Sequence, residues 1–123
     1  MKYMLLIWEG TDPEADVSPE ERQASMTAYM QFTQEVVDRG LMQAGDALQG
    51  PGTATTVRLN GSNTITTDGP FAETKEWLAG YYLLDCKDLD EAVEMAAKIP
   101  AAAHGAIEVR PIMEIPPEFT GQG

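Results

Sequence analysis

Histidine and cysteine are almost absent from this chain, and both shortages exclude classes of chemistry. His104 and Cys86 are the single residues of their types among 123. Zinc and iron sites need several such ligands at close spacing, so we expect no metal. One cysteine cannot form an intrachain disulfide, which is typical of a reducing compartment and predicts a cytoplasmic location.

Basic residues are also scarce. Eight Lys and Arg stand against 20 Asp and Glu, which gives a net charge of −12. A field of that sign repels phosphate backbones and anionic headgroups, so nucleic acid and membrane surfaces are not expected partners.

Long apolar runs and nucleotide motifs are missing as well. Residues 4–8 and 77–84 are the longest apolar stretches, and both are shorter than the roughly 20 residues that span a bilayer. Glycine-rich phosphate loops and the Gly-x-Ser-x-Gly elbow do not occur, so we expect no cofactor.

Two of the apolar stretches indicate strands that are buried on both faces. In residues 2–8 and 77–85, apolar side chains occupy both the odd and the even positions. A shorter alternation at residues 107–113 is apolar on one face only. Residues 41–48 are predicted to form another short strand.

Capping residues mark two helices. Ser18, Pro19 and Glu21 have the spacing of a capping box with proline at the first helical position, and Gly40 is placed to end that helix. Asp88 is predicted to cap the second helix. The apolar stripe predicted for the first helix consists of Met26, Tyr29, Met30, Thr33, Val36 and Val37.

The order of elements predicts the fold class. Thr- and Val-rich segments flank Asn60-Gly61, a strong hairpin signal. Without that hairpin the order is βαββαβ, so we predict an α+β, ferredoxin-like domain with an inserted β-hairpin. The domain is expected over residues 1–115, followed by a short tail at 116–123.

A second copy of the chain is the predicted partner. Two helices cover only one face of such a sheet, and the apolar second face of its central strands needs another cover. A homodimer packed sheet against sheet supplies it. The alternative is a monomer in which the hairpin and the tail fold over that face.

One segment carries a family resemblance. Residues 66–76, TTDGPFAETKE, followed by Gly80-Tyr81-Tyr82, resemble the signature of the DGPF, or YCII-related, family. The resemblance implies a dimeric α+β barrel. Relatives on this fold include small-molecule isomerases, lyases and dehydrochlorinases, and some DGPF members resemble accessory proteins of alternative sigma factors.

A catalytic pair of the shorter YCII-type relatives does not transfer to this chain. Those relatives place a histidine in the first helix and an aspartate before a proline after the second. Here the first helix holds no histidine, and Ile99 precedes Pro100.

Two residues are the catalytic candidates. Asp68 is predicted as a general base or an orienting carboxylate, and the alternative is an Asx-turn before Gly69-Pro70. His104 is a candidate acid or base because histidine ordinarily titrates near neutral pH, and the alternative is a merely exposed loop residue.

Five residues are the substrate-binding candidates. Arg110 is predicted to grip a substrate carboxylate, and the alternative is an ion pair with Glu108 or Asp68. Lys75 has a solvated surface pair as its alternative. The aromatic candidates, whose alternative role is packing in the core or an interface, are Phe71, Tyr81 and Tyr82.

Three hypotheses for the function follow. The first is a protein that binds or transforms a small, aromatic or carboxylated molecule by cofactor-free acid/base chemistry; as an enzyme it would be isomerase- or lyase-like. Its pocket is expected between sheet and helices. The second is a non-enzymatic interaction or regulatory module with a protein partner such as an alternative sigma factor. The third is a carrier or sensor of a small ligand.

Overall fold

The structure, a computed structural model, describes residues 1–120. Its elements follow the predicted order strand, helix, strand, hairpin, strand, helix, strand. They are β1 (Lys2–Glu9), α1 (Pro19–Asp38), β2 (Met42–Ala47), β3 (Thr55–Asn60), β4 (Asn63–Asp68), β5 (Trp77–Asp85), α2 (Leu89–Ala96), β6 (Ala106–Pro111) and α3 (Pro117–Thr120). Single 3₁₀ turns lie at Pro51–Thr53 and Pro100–Ala103.

The main sheet is antiparallel and has the order β2-β5-β1-β6. Leu5 in its centre lies opposite Tyr82 on one side and Val109 on the other. Strands β3 and β4 form a separate two-stranded sheet. The predicted ferredoxin-like α+β fold with an inserted hairpin is therefore confirmed.

Both predicted helix caps are present. Ser18 Oγ accepts from the Glu21 amide at 3.1 Å, and Asp88 Oδ1 accepts from the Glu91 amide at 2.9 Å. Gly40 ends α1 with a φ of 73°, a conformation that L side chains rarely adopt. The two side-chain caps satisfy main-chain N–H groups that the first turn of a helix leaves without partners.

The predicted stripe of α1 is wrong in part. Phe32 and Val36 are the buried residues of the helix. The edge of the Phe32 ring packs on Tyr82, with ring centroids 4.9 Å apart, so the face of α1 that meets the sheet carries Phe32 and Val36 and leaves other apolar positions in solvent. The exposed ones are Met26, Met30 and Val37.

The core lies on one face of the main sheet. Alternate residues of β1 and β5 point toward both helices and are buried there, because strand side chains alternate between faces. The largest fully buried side chains are Leu5, Leu84, Met95, Ile99, Val36 and Cys86.

The opposite face of the sheet is also apolar. Its side chains are only half-buried, and the register places them side by side across β1 and β5. This surface, here called the second face, consists of Met4, Leu6, Trp8, Leu78, Tyr81 and Leu83.

Candidate functional site

A cleft opens between α1 and the edge of the main sheet. Its volume is about 310 Å³, at the small end of the range for ligand pockets. The lining is mostly apolar and aromatic: Ile7, Glu9, Tyr29, Thr33, Met42, Gly45, Asp46, Ala47, Ala79, Gly80, Tyr81 and Tyr82.

Glu9 is the charged residue that ends the buried row of β1. It has the same parity as Tyr3, Leu5 and Ile7, so its side chain points toward the helices rather than toward the second face. Only 16% of this side chain is exposed. The strand predicted at residues 2–8 stops one residue before Glu9, although the parity of Glu9 with the apolar row was the signal that would have identified it.

His104 is the partner of Glu9. A carboxylate only accepts, so the imidazole Nε2–H donates to Glu9 Oε1. The His104 side chain is 48% exposed and is not among the residues that line the cleft. His104 therefore lies behind Glu9, between that carboxylate and solvent.

Two glycines allow this pair to form. The main chain after β1 closely approaches the main chain before β6 at Gly10 and Gly105. A Cβ atom on Gly105 would clash with the carbonyl oxygen of Trp8, and one on Gly10 would clash with that of His104. The amide of Gly105 also donates to Ala101 O at 2.7 Å, which fixes the loop that presents His104.

Tyr29 supplies a hydroxyl to the cleft. Desolvation raises its pKa to about 12, with smaller contributions from the negative charge of Glu9 and from Tyr82, and a main-chain hydrogen bond from Ala101 opposes the shift. The group stays protonated at neutral pH.

Tyr82 and Thr33 form a hydrogen-bonded chain on the cleft wall. Thr33 Oγ1 donates to the Tyr29 carbonyl oxygen at 2.9 Å and lies 2.8 Å from the Tyr82 hydroxyl. A threonine hydroxyl has one proton, so the Tyr82 hydroxyl is the donor in the second bond. The Tyr82 oxygen then faces the cleft as an acceptor.

Two of the predicted binding residues, Tyr81 and Tyr82, border the cleft. Only Tyr82 shares the helix-facing side of the sheet with Leu5, whereas the register pairs Tyr81 with Leu6 and Asp46 and places its side chain on the second face. The hydroxyl of Tyr81 donates to Asp46 Oδ2 at 2.6 Å, and that hydrogen bond raises the pKa of Tyr81.

Three predicted residues lie on the hairpin or the loop after it. Asp68 ends β4 opposite Thr55. Phe71 is 74% exposed, and the Arg58 guanidinium lies 4.9 Å from the centre of its ring. Lys75 is exposed. The cleft lining includes none of the three.

Arg110 lies with the second face of the sheet rather than in the cleft, because it pairs with Met4 across β1. Its Nε donates to Glu108 Oε2 at 3.1 Å, and Trp8 Nε1 donates to Glu108 Oε1 at 3.1 Å. These two donors hold the pKa of Glu108 below its usual value. The ion pair weighed as the alternative for Arg110 is therefore present.

Within residues 1–120, no group of three or more His, Cys, Asp and Glu side chains is arranged to hold a metal. Over the same residues, no helix combines the length and the apolar character that crossing a membrane requires.

The pKa of Tyr29 gives a first test of the cleft. In an absorbance titration at alkaline pH, the difference between wild type and Tyr29→Phe is expected to titrate near pH 12. Glu9→Gln is expected to lower that value, because it removes one charge that disfavours the phenolate. Since the folded pKa exceeds the usual 10, the contribution of Tyr29 to stability should be lost as pH rises from about 10 to about 12.

These features define a small ferredoxin-like α+β domain with a partly aromatic cleft between helix and sheet. The sequence model of the YCII-related domain matches residues 1–116, and the chain belongs to this family. It is 36% identical over 114 residues to an uncharacterized protein of Rhizobium meliloti (strain 1021), a match that covers 91% of this chain and 92% of that protein.

Proposed function

We propose that this YCII-related protein binds a small organic molecule in the cleft and transfers a proton on it without a cofactor. One observation carries the proposal: a mostly buried carboxylate, Glu9, lines the cleft and is held from behind by His104. Carboxylates in apolar clefts are among the groups that enzymes use as general bases.

Each polar group of the cleft has a distinct part in this proposal. Glu9 accepts a proton from a carbon next to a carbonyl group of the ligand. The charge that develops on the carbonyl oxygen is stabilised by the hydroxyl of Tyr29, which stays protonated because its pKa is about 12. The Glu9 carboxyl group, held by the Nε2–H of His104, then exchanges the acquired proton with water.

A deuterium-exchange experiment tests this chemistry. A neutral aromatic ketone such as 2-indanone, incubated with the protein in D₂O, is expected to exchange its acidic C–H protons faster than in buffer. Glu9→Gln should reduce the protein-dependent rate about 100-fold, because general base catalysis contributes on that order or more. Loss of the ketone C–H signal in proton NMR measures the rate.

The matched control for Glu9→Gln is Glu73→Gln, which changes the net charge equally on an exposed loop. It should exchange the ketone at the wild-type rate. The proposal fails if wild type does not exceed buffer for any of a panel of neutral ketones, or if folded Glu9→Gln keeps the wild-type rate.

We also propose that the protein is a homodimer packed through the second face. Six apolar side chains of that face remain half-exposed in the single chain, and burying them against a second copy removes them from water. This arrangement is the dimeric α+β barrel that the family resemblance implies.

A second candidate function is an interaction module for an alternative sigma factor. It is supported by the hairpin, whose Val57, Leu59 and Ile65 are 60%, 72% and 45% exposed. Direct binding of a purified sigma factor that is lost in Leu59→Ser but kept in Glu9→Gln would favour this candidate over cleft chemistry.

A cytoplasmic location and membership of the DGPF subgroup complete the proposal. The subgroup is supported by residues 66–76. The location is supported by the cysteine content, because Cys86 is the single cysteine and the chain has no intrachain disulfide that an oxidising compartment would maintain. Burial, and after it the charges of Glu91 and Asp85, raise the pKa of the Cys86 thiol, so this group is poorly reactive.

A further inference from the structure

We infer that the ligand of the cleft is a small organic amine that binds in its protonated form, with its apolar or aromatic part against the tyrosines. The inference concerns binding: it rests on the cleft-binding part of the proposed function and adds the charge of the ligand. It replaces the carboxylated ligand expected from the sequence.

The first support is the sign of the charge in the cleft. Glu9 is the acidic side chain on the helix-facing side of the cleft, whereas the carboxylate of Asp46, which also borders the cleft, is bonded to Tyr81 on the second face. None of the lining residues is Lys or Arg over the described part of the chain. The Glu9 side chain is only 16% exposed, so water screens its charge poorly. An anion that entered would be desolvated next to a carboxylate, and no Lys or Arg lines the cleft to balance its charge.

The second support is that three of the eight basic side chains form ion pairs away from the cleft. Glu35 binds both Arg39, at 2.8 Å, and Lys98, at 2.5 Å. Arg110 forms an ion pair with Glu108 and lies on the side of the sheet that carries the second face. These cations are already paired, and none of them lines the cleft.

The third support is an acceptor on Glu9 without a partner. Oε1 is bonded to His104, whereas Oε2 has no hydrogen-bond partner among residues 1–120. No side-chain N or O atom in that part of the chain is both sealed from solvent and unbonded, so Oε2 is accessible. An ammonium group donates to such an oxygen in a charge-assisted hydrogen bond.

The walls fit the remainder of such a ligand. Tyr29 and Tyr82 offer aromatic surfaces that attract a cation beside them, and the oxygen of Tyr82 is free to accept. The volume of about 310 Å³ corresponds to roughly ten water molecules. A single aromatic ring with a two-carbon amine side chain is of that size.

Three probes that differ mainly in charge test the inference: 2-phenylethylamine, 2-phenylethanol and phenylacetate. Binding is measured by isothermal calorimetry, and the site by amide shifts of Glu9, Tyr29 and Tyr82 in NMR. The amine should bind at least about 10-fold more tightly than the alcohol, because a hydrogen bond to a charged group is worth more than a neutral one. Phenylacetate should bind more weakly than both.

Glu9→Gln provides the decisive variant. It should bring the affinity for the amine down to that for the alcohol and leave the alcohol unchanged. Glu73→Gln, with the same change in net charge, should keep the wild-type preference, which separates the effect of Glu9 from the general attraction of a −12 protein for cations.

The outcomes separate the two proposals. If phenylacetate binds the cleft as tightly as the amine, the inferred charge of the ligand is wrong while cleft binding stands. If folded Glu9→Gln keeps the preference, the charge inference is again overturned. If none of the probes shifts the cleft amides, both the inference and cleft binding are contradicted.

Discussion

Gly105→Ala is expected to lower the free energy of unfolding by about 3 kcal/mol and to separate His104 from Glu9. The added Cβ would clash with the carbonyl oxygen of Trp8 and would lie 3.0 Å from the amide nitrogen of Gly10. Both atoms belong to the main chain, so no side-chain rotation relieves the contact. The strand end that carries Glu9 and the loop that carries His104 must move apart.

Urea unfolding measures the stability of Gly105→Ala, and ketone exchange measures the function of the pair. Gly52→Ala is the matched control, because a Cβ at Gly52 meets nothing within 4 Å, and its stability should stay within about 0.5 kcal/mol of wild type. Wild-type stability in Gly105→Ala would contradict the close approach of the two main-chain segments.

The loss of exchange can also be distinguished from loss of fold. Gly105→Ala is measured well below its melting temperature, where it should be folded but impaired. Ketone exchange at the wild-type rate in that variant would show that the contact between His104 and Glu9 is not needed for the reaction.

Local patterns were enough to predict the elements of this fold. Ser18 and Asp88 cap their helices as their spacing predicted, and Gly40 adopts the left-handed conformation that ends α1. Such signals depend on neighbours within four residues, so a single sequence contains them. The same patterns left the stripe of α1 partly wrong, because the face of a helix that meets the sheet depends on tertiary contacts such as that of Phe32 with Tyr82.

The candidate site was harder to predict because its parts are far apart in the chain. Glu9, Tyr29 and His104 come together only when the end of β1, the middle of α1 and the loop before β6 meet. Two of the predicted site residues, Asp68 and Lys75, belong to the segment that carries the resemblance, residues 66–76. They lie on the hairpin and the loop that follows it. The local clue to Glu9 was that it shares the parity of the buried residues of β1. This clue could be used only if the strand was predicted to include residue 9.

The predicted role of Arg110 shows the same limit. Alternation on β6 places Arg110 and Glu108 on one face, but alternation alone does not say which face the helices cover. The pairing of Arg110 with Met4, and of Leu5 with Val109, answers that question. The one guanidinium considered for a carboxylate ligand thus lies on the side of the sheet away from the cleft.

Leu83→Lys is expected to convert the proposed homodimer into a folded monomer. Leu83 lies in the middle of the second face, opposite Met4 on β1 and Ala44 on β2. In a single chain a lysine there reaches water. In a dimer packed through this face, two lysines are buried without partners, each at a cost of about 3–5 kcal/mol, so the dimer should weaken at least about 1000-fold.

Light scattering during size-exclusion chromatography measures the molar mass of Leu83→Lys across a dilution series. The matched control is Val93→Lys, an equal change at a residue of α2 that is 51% exposed, and it should remain dimeric. Circular dichroism confirms that both variants keep the fold. A wild type that is monomeric at all concentrations, or a Leu83→Lys variant that stays dimeric, would show that the second face is not the dimer interface.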